Sequence, residues 1–203
     1  MRLHDFELSA DCYKLRLMLS ILGLGYEVVP VDVFPGREHE GAAFRALNPD
    51  GRVPVLVIGG TLWTDPEATL AQLARIHDET WLDAGDIESW LATSRRLGAS
   101  AGLARLTVNF GYDHDLPALQ LQAHAELRRI DEHLWFGERQ QCDWLCAAGR
   151  PTIADIACFP DIVLCEEGGI SRQDYPAVRR WLDRVKRIPG FTTMSGVFPA
   201  APL

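Results

Sequence analysis

Asn48-Pro49-Asp50-Gly51-Arg52-Val53-Pro54-Val55-Leu56-Val57 is the stretch on which the reading of this chain turns. Asn48-Pro49-Asp50-Gly51 reads as a turn, because proline and glycine punctuate it and Asn and Asp side chains bond readily to their own backbone. Val55 to Ile58 then reads as a short strand, closed by Gly59-Gly60. Val53-Pro54 stands between them. Proline cannot donate to a ladder, so it belongs at a strand's first residue or in a tight turn. A trans peptide there would simply open a strand. A cis peptide would turn the N–H and C=O of Val53 away from the sheet, free to pair with an extended ligand backbone. Spacing alone leaves both open, since cis is only about 5–6% of X-Pro bonds.

Upstream, Arg2 to Leu8 reads as a strand, broken by Ser9-Ala10-Asp11. Leu15, Met18, Leu19 and Leu22 then fall at i, i+3, i+4 and i+7, one apolar helical stripe that ends at Gly23 and Gly25. Tyr26 to Val31 reads as a second strand, completing a βαβ unit with a parallel pair. Downstream, Gly59-Gly60 makes a hairpin into Thr61-Leu62-Trp63. Asp65-Pro66-Glu67 starts a helix with an aspartate cap, a first-position proline and an acid in the first turn. Beyond residues 79–85, a linker, the strand signal stops. Asp86 to Asn109 reads as one helix rich in small residues. Asp115-Leu116-Pro117 caps another, with Leu121, Ala125, Leu127, Ile130 and Leu134 facing inward. Thr152-Ile153-Ala154-Asp155 is a capping box. Asp174-Tyr175-Pro176 opens a last helix that Pro189-Gly190 stops. The expected organisation is an α/β domain over residues 1–78 and an all-helical domain over 86–203.

A hydrophobic content of 47% and a charged content of 24% describe an ordinary globular chain. The net charge of −8 argues against nucleic acid as a partner. No apolar run reaches the roughly 18–20 residues that span a bilayer, and Met1 to Asp5 lacks a signal peptide's apolar stretch, so the expected location is cytoplasmic, with no membrane partner. The five cysteines lack Cys-x-x-Cys spacing, so neither a metal nor a disulfide framework is expected.

Four segments in order and spacing resemble the glutathione S-transferase superfamily: Ser9 to Arg16 as its strand-to-helix loop, Asn48 to Leu56 as its Asn-Pro-x-Gly-x-Val-Pro-x-Leu segment, Pro151 to Ile156 as its capping box, and Tyr175-Pro176 to Phe191 as its C-terminal helix. The loop looks like that of bacterial members with a serine there. The resemblance implies a thioredoxin-like N-terminal domain, a cis Pro54, a homodimer, and glutathione as co-substrate with a small hydrophobic electrophile.

Ser9 carries the expected chemistry. A hydroxyl just before a helix N-terminus can donate to a thiolate, and the helix dipole favours the same anion. Lowering a thiol pKa by about two units takes roughly 2.7 kcal/mol, within reach of one charge-assisted bond plus the dipole. The same serine would serve equally as a plain helix cap. Cys12, in the first helical turn, is a possible accessory thiol. By the resemblance, Val53 would pair with the cysteinyl backbone of glutathione, His39 and Arg52 would face its glycine carboxylate, and Asp65 would hold its γ-glutamyl amine. Pro66 departs from the family, which has serine there to bind the γ-glutamyl carboxylate. Pro66 has neither hydroxyl nor N–H, and Glu67 adds negative charge beside it. Losing bonds worth roughly 1.5–3 kcal/mol each would weaken glutathione binding by two or three decades. Ser94, Leu97, Gly98 and Ala101, with Arg105, are expected to wall the second-substrate site or to pack across a dimer. The leading expectation is a thiolate of glutathione attacking a small apolar electrophile. The alternatives are a repurposed enzyme, using glutathione weakly or another thiol for isomerisation, elimination or addition, and a non-catalytic binding module of the same fold.

Overall fold

The computed structural model describes residues 1–200. Its first unit is a mixed sheet of β1 (Arg2–Asp5), β2 (Glu27–Pro30), β3 (Val55–Ile58) and β4 (Thr61–Trp63), in the order β2-β1-β3-β4. β1 runs parallel to β2 and antiparallel to β3, and β3 pairs antiparallel with β4. The β3–β4 turn takes Gly59 and Gly60 at φ +56° and +88°, a pair of left-handed positions that only glycine adopts without steric cost. Helix α1 (Ala10–Ile21) connects β1 to β2, a single turn α2 (Ala42–Arg45) precedes β3, and α3 (Pro66–His77) follows β4.

The second unit is helical: α4 (Ile87–Leu97), α5 (Leu103–Phe110), α6 (Leu116–Arg139), α7 (Ile153–Val163) and α8 (Pro176–Val185). The one long helix expected over Asp86 to Asn109 is divided by a π-helical turn at Gly98–Gly102. The glycine in this turn answers to the packing interface. A Cβ on Gly102 would stand 2.8 Å from Asp161 Oδ1, so the widened, glycine-rich turn makes room for a carboxylate of α7. The inward stripe of α6 is Ala123, Leu127, Ile130 and Leu134. Leu121 is 67% exposed and Ala125 is exposed as well, which corrects the expectation for both. Each lies two residues from Ala123, and two residues rotate a side chain by about 200°, to the opposite side of a helix.

One core joins the units. Helix α1 packs between α3 and α7, where Tyr13 meets Phe159. The capping box forms: Thr152 Oγ1 accepts from Ala154 N–H at 3.3 Å, and Asp155 Oδ2 accepts from Thr152 N–H at 2.8 Å. Asp155 Oδ1 also takes the indole N–H of Trp181 at 2.8 Å, tying α8 to α7. Residues 79–82 of the linker form a 3-10 turn that buries Trp81. No helix among the described residues is long and apolar enough to cross a membrane.

Candidate active site

Three segments meet at one end of the sheet, and strand register explains why. Arg2 pairs with Val57 and His4 with Val55, so extending that register sets Val53 opposite Phe6, three residues before Ser9. Leu56 pairs with Trp63, so the same extension brings Asp65 opposite Pro54. The exit of β1, the entry to β3 and the start of α3 therefore share one edge.

Ser9 is the N-cap of α1, and its Oγ accepts from Cys12 N–H at 3.2 Å. Accepting leaves the hydroxyl proton unspent, and no acceptor takes it among the described residues. Cap and donor are thus compatible roles. The loop before Ser9 is held by its carbonyls: Phe6 O accepts from Ser9 N–H at 2.9 Å, Glu7 O from Arg16 Nη2 at 2.8 Å, and Leu8 O from Arg105 Nη1 at 2.6 Å. With these groups engaged, β1 ends at Asp5 and does not continue to Leu8 as its pattern suggested.

Cys12 is fully buried, its Sγ accepting from Phe6 N–H at 3.4 Å. Burial, with Asp5 adding to it, pushes the thiol well above its ordinary pKa. The helix dipole does not overcome the loss of water, so Cys12 packs in the core instead of offering the accessory thiol expected of it.

The turn before β3 is built from its own side chain. Buried Asn48 donates from Nδ2 to Arg52 O at 2.7 Å and accepts from Asp50 N–H at 3.2 Å. Gly51 has φ +61°, and a Cβ there would lie 3.0 Å from His39 O, so conformation and close approach both call for glycine. Val53–Pro54 is cis, and Val53 enters no backbone hydrogen bond among the described residues. Arg52 is exposed on the turn. His39 is mostly buried and its Nδ1 has no partner among the described residues.

Asp65 caps α3, with Oδ1 accepting from Ala68 N–H at 2.7 Å, and Pro66 fills the first helical position. The exposed charge expected of Glu67 is absent, because its side chain turns inward. Glu67 Oε1 lies 3.0 Å from Lys14 Nζ and accepts from Ser94 Oγ at 2.8 Å. Lys14 is itself buried, 2.7 Å from Asp11 and 3.5 Å from Asp161. Burial opposes the ammonium, but Asp11, Asp161 and Glu67 outweigh it and hold Lys14 well above its ordinary pKa. Asp161 carries the cost: burial pushes its carboxyl up to about 6, with Lys14 drawing it partly back.

Ser94, Leu97 and Ala101 are buried. Ser94 binds Glu67 and Ala157 O, and Gly98 faces Asp161. These small residues admit buried polar groups from α3 and α7, and they present no open wall. Arg105 is equally buried, held by Glu167 at 2.6 Å and by Leu8 O. An open apolar wall stands elsewhere. Phe110, at the end of α5, meets Phe34 at 4.9 Å, Phe6 at 6.2 Å and Tyr112 at 6.5 Å between ring centres. Phe34 and Tyr112 are 46% and 39% exposed. Sequence reasoning missed Phe6, Phe34 and Phe110 because they come from three distant segments with no shared period.

Residues 3–81 match the glutathione S-transferase N-terminal domain, and residues 113–184 match the glutathione S-transferase C-terminal domain. The chain belongs to the glutathione S-transferase superfamily. It is similar to a maleylacetoacetate isomerase of Pseudomonas aeruginosa, 26% identical over 94% of this chain and 93% of the relative. Its fold superposes on a possible glutathione S-transferase from Rhodopseudomonas palustris with a TM-score of 0.84, at 29% identity, covering 99% of this chain and 92% of that one. A glutathione transferase family member from Pseudomonas fluorescens, solved with two glutathione bound, shares the fold with a TM-score of 0.76. It is 22% identical, covering 94% of this chain and 92% of that one. The thioredoxin-like sheet followed by a helical domain is the fold of this superfamily.

Proposed function

We propose that this protein activates the thiol of glutathione at Ser9 and delivers it to an electrophilic carbon held against Phe6, Phe34, Phe110 and Tyr112. The observation that carries this reading is the unspent proton of a hydroxyl that already caps α1. A sulfur anion beside Ser9 receives that proton as a hydrogen bond and lies at the positive end of a 12-residue helix. Val53 has its backbone free for the cysteinyl unit. His39, whose carbonyl lies against Gly51, and exposed Arg52 flank the turn where the glycine carboxylate would lie. Asp65 offers its second oxygen to the γ-glutamyl amine.

The thiolate forms the C–S bond. In a substitution, the leaving group departs with its electron pair; in an addition, the neighbouring carbon takes up a proton. A second reading is favoured by the full-length similarity to a maleylacetoacetate isomerase. There, addition turns a cis double bond into a single bond, rotation follows, and the thiolate is expelled with the double bond restored. Proton NMR after incubation with glutathione and either an activated aryl halide or a cis-activated alkene separates the two. A stable thioether is expected from the first, and an isomer with unconsumed glutathione from the second. Absence of both products, with no calorimetric binding of glutathione, overturns the proposal. Family resemblance also supports a homodimer, which light scattering measures directly.

A further inference from the structure

The weak point of the site is the α-carboxylate of the γ-glutamyl group. Pro66 supplies neither hydroxyl nor N–H, and the Ala68 N–H is already taken by Asp65 at 2.7 Å. Glu67 N–H makes no hydrogen bond among the described residues, and one amide is a thin anchor for a charged group. A cation stands beside this gap. Arg95, in the last turn of α4, reaches across from the helical domain, with Nη2 3.5 Å from Asp65 Oδ1 and Nε 3.7 Å from Glu67 Oε2. Both separations exceed the roughly 2.7–3.2 Å of a hydrogen bond. The guanidinium is 50% exposed and Asp65 51%, so the ion pair alone stabilises little and the planar fork keeps its donors available.

Glu67 does not need this arginine. Its charge is met from below by Lys14 and by the Ser94 hydroxyl. Asp65 and Arg95 therefore form an acid and a base side by side at the open rim. That pairing complements an α-amino acid head group, whose ammonium and carboxylate sit on one carbon. We propose that Arg95 holds the γ-glutamyl α-carboxylate through its guanidinium fork, replacing from the second domain the donors that Pro66 lacks. Asp65 then takes the ammonium. The weakening of glutathione binding expected from Pro66 alone is offset by this exchange, and binding acquires a dependence on how the two domains meet. This inference rests on the glutathione reading above and specifies how that tripeptide is recognised.

The test is calorimetry on the full chain with two thiols: glutathione, and 4-aminobutyryl-cysteinyl-glycine, which keeps the amine and lacks the α-carboxylate. Arg95→Gln is expected to weaken glutathione about 10–100-fold, the effect of losing one charge-assisted bond, and to change the analogue by about twofold or less. Arg95→Lys recovers part of the affinity, because it keeps the charge without the fork. Adding Pro66→Ser to Arg95→Gln restores glutathione binding by about tenfold, since the serine supplies the missing donors. An equal loss for both thiols, or no loss for glutathione, overturns the role of Arg95 while leaving the glutathione reading intact. Absence of glutathione binding by the unaltered protein overturns both, and the two failures are thereby distinguished.

Discussion

Helices α1 and α3 begin in the same way and end up with opposite chemistry. Each is 12 residues long, and each is capped by a side-chain oxygen that accepts from the N–H three residues on. At α1 the cap is a hydroxyl, which accepts and still has a proton to give. At α3 the cap is a carboxylate, which only accepts, and the following proline removes a backbone donor. Both helix dipoles favour an anion at this end, but the capping group decides what can lie beside it. Ser9 suits a sulfur anion, whereas Asp65 suits an ammonium and needs Arg95 nearby to admit a carboxylate. On the proposed reading, two equivalent helix starts would present complementary charge to different parts of glutathione.

Converting one start into the other is the most severe test. Ser9→Asp keeps the cap but replaces the donor with a negative charge facing the sulfur. Turnover should fall by about 100-fold or more, with the melting temperature within about 2 °C of the parent. Ser9→Ala removes cap and donor together. Rates should drop roughly 10–100-fold, and the melting temperature should fall by about 2–4 °C for the lost cap. Thiolate absorbance of bound glutathione, followed against pH, should show the thiol pKa raised in both variants. A thiol pKa in Ser9→Asp unchanged from the parent would break the comparison, because the hydroxyl would then be only a cap.

Arg105→Met sharpens the other half of the comparison, the bracing of the loop from the helical domain. Without the bond to Leu8 O, Ser9 is positioned less narrowly. A rate loss of about tenfold at little change in KM for glutathione is expected, with stability lower by about 2 kcal/mol. Unchanged rates with lowered stability would mark Arg105 as structural only.

The smallest effect on turnover belongs to the buried cluster beneath Asp65. Burial raises Asp161 from an ordinary 3.8 to about 6. A carboxyl raised in the folded state favours folding fully below about pH 3.8, and that contribution is lost as pH rises through about 6. Asp161→Asn should remove this fall, flattening stability against pH between about 4 and 6 in urea titrations, with turnover near pH 7 unchanged. An unchanged slope would place the fall elsewhere.

Much of this was legible along the chain, because local rules set it. The caps at Ser9, Asp65 and Thr152, the Gly59-Gly60 hairpin and the Asn48–Gly51 turn depend on neighbours within a few residues. Contiguous residues also carried the resemblance that pointed to Ser9, Val53 and Asp65. The orientation of side chains against distant segments was not legible. Cys12 at a helix start suggested an accessory thiol, yet burial beneath the Phe6 loop raises its pKa. Ser94 to Ala101 read as a roomy wall, yet α3 and α7 fill that space with Glu67 and Asp161. Arg95 has no local signal at all. Hydrogen bonds and caps act over one helical turn, whereas desolvation and charge pairing act through space. Sequence therefore determined where each donor and turn would form, and only the packing of α4 and α7 against the N-terminal unit decided which charges stayed in water.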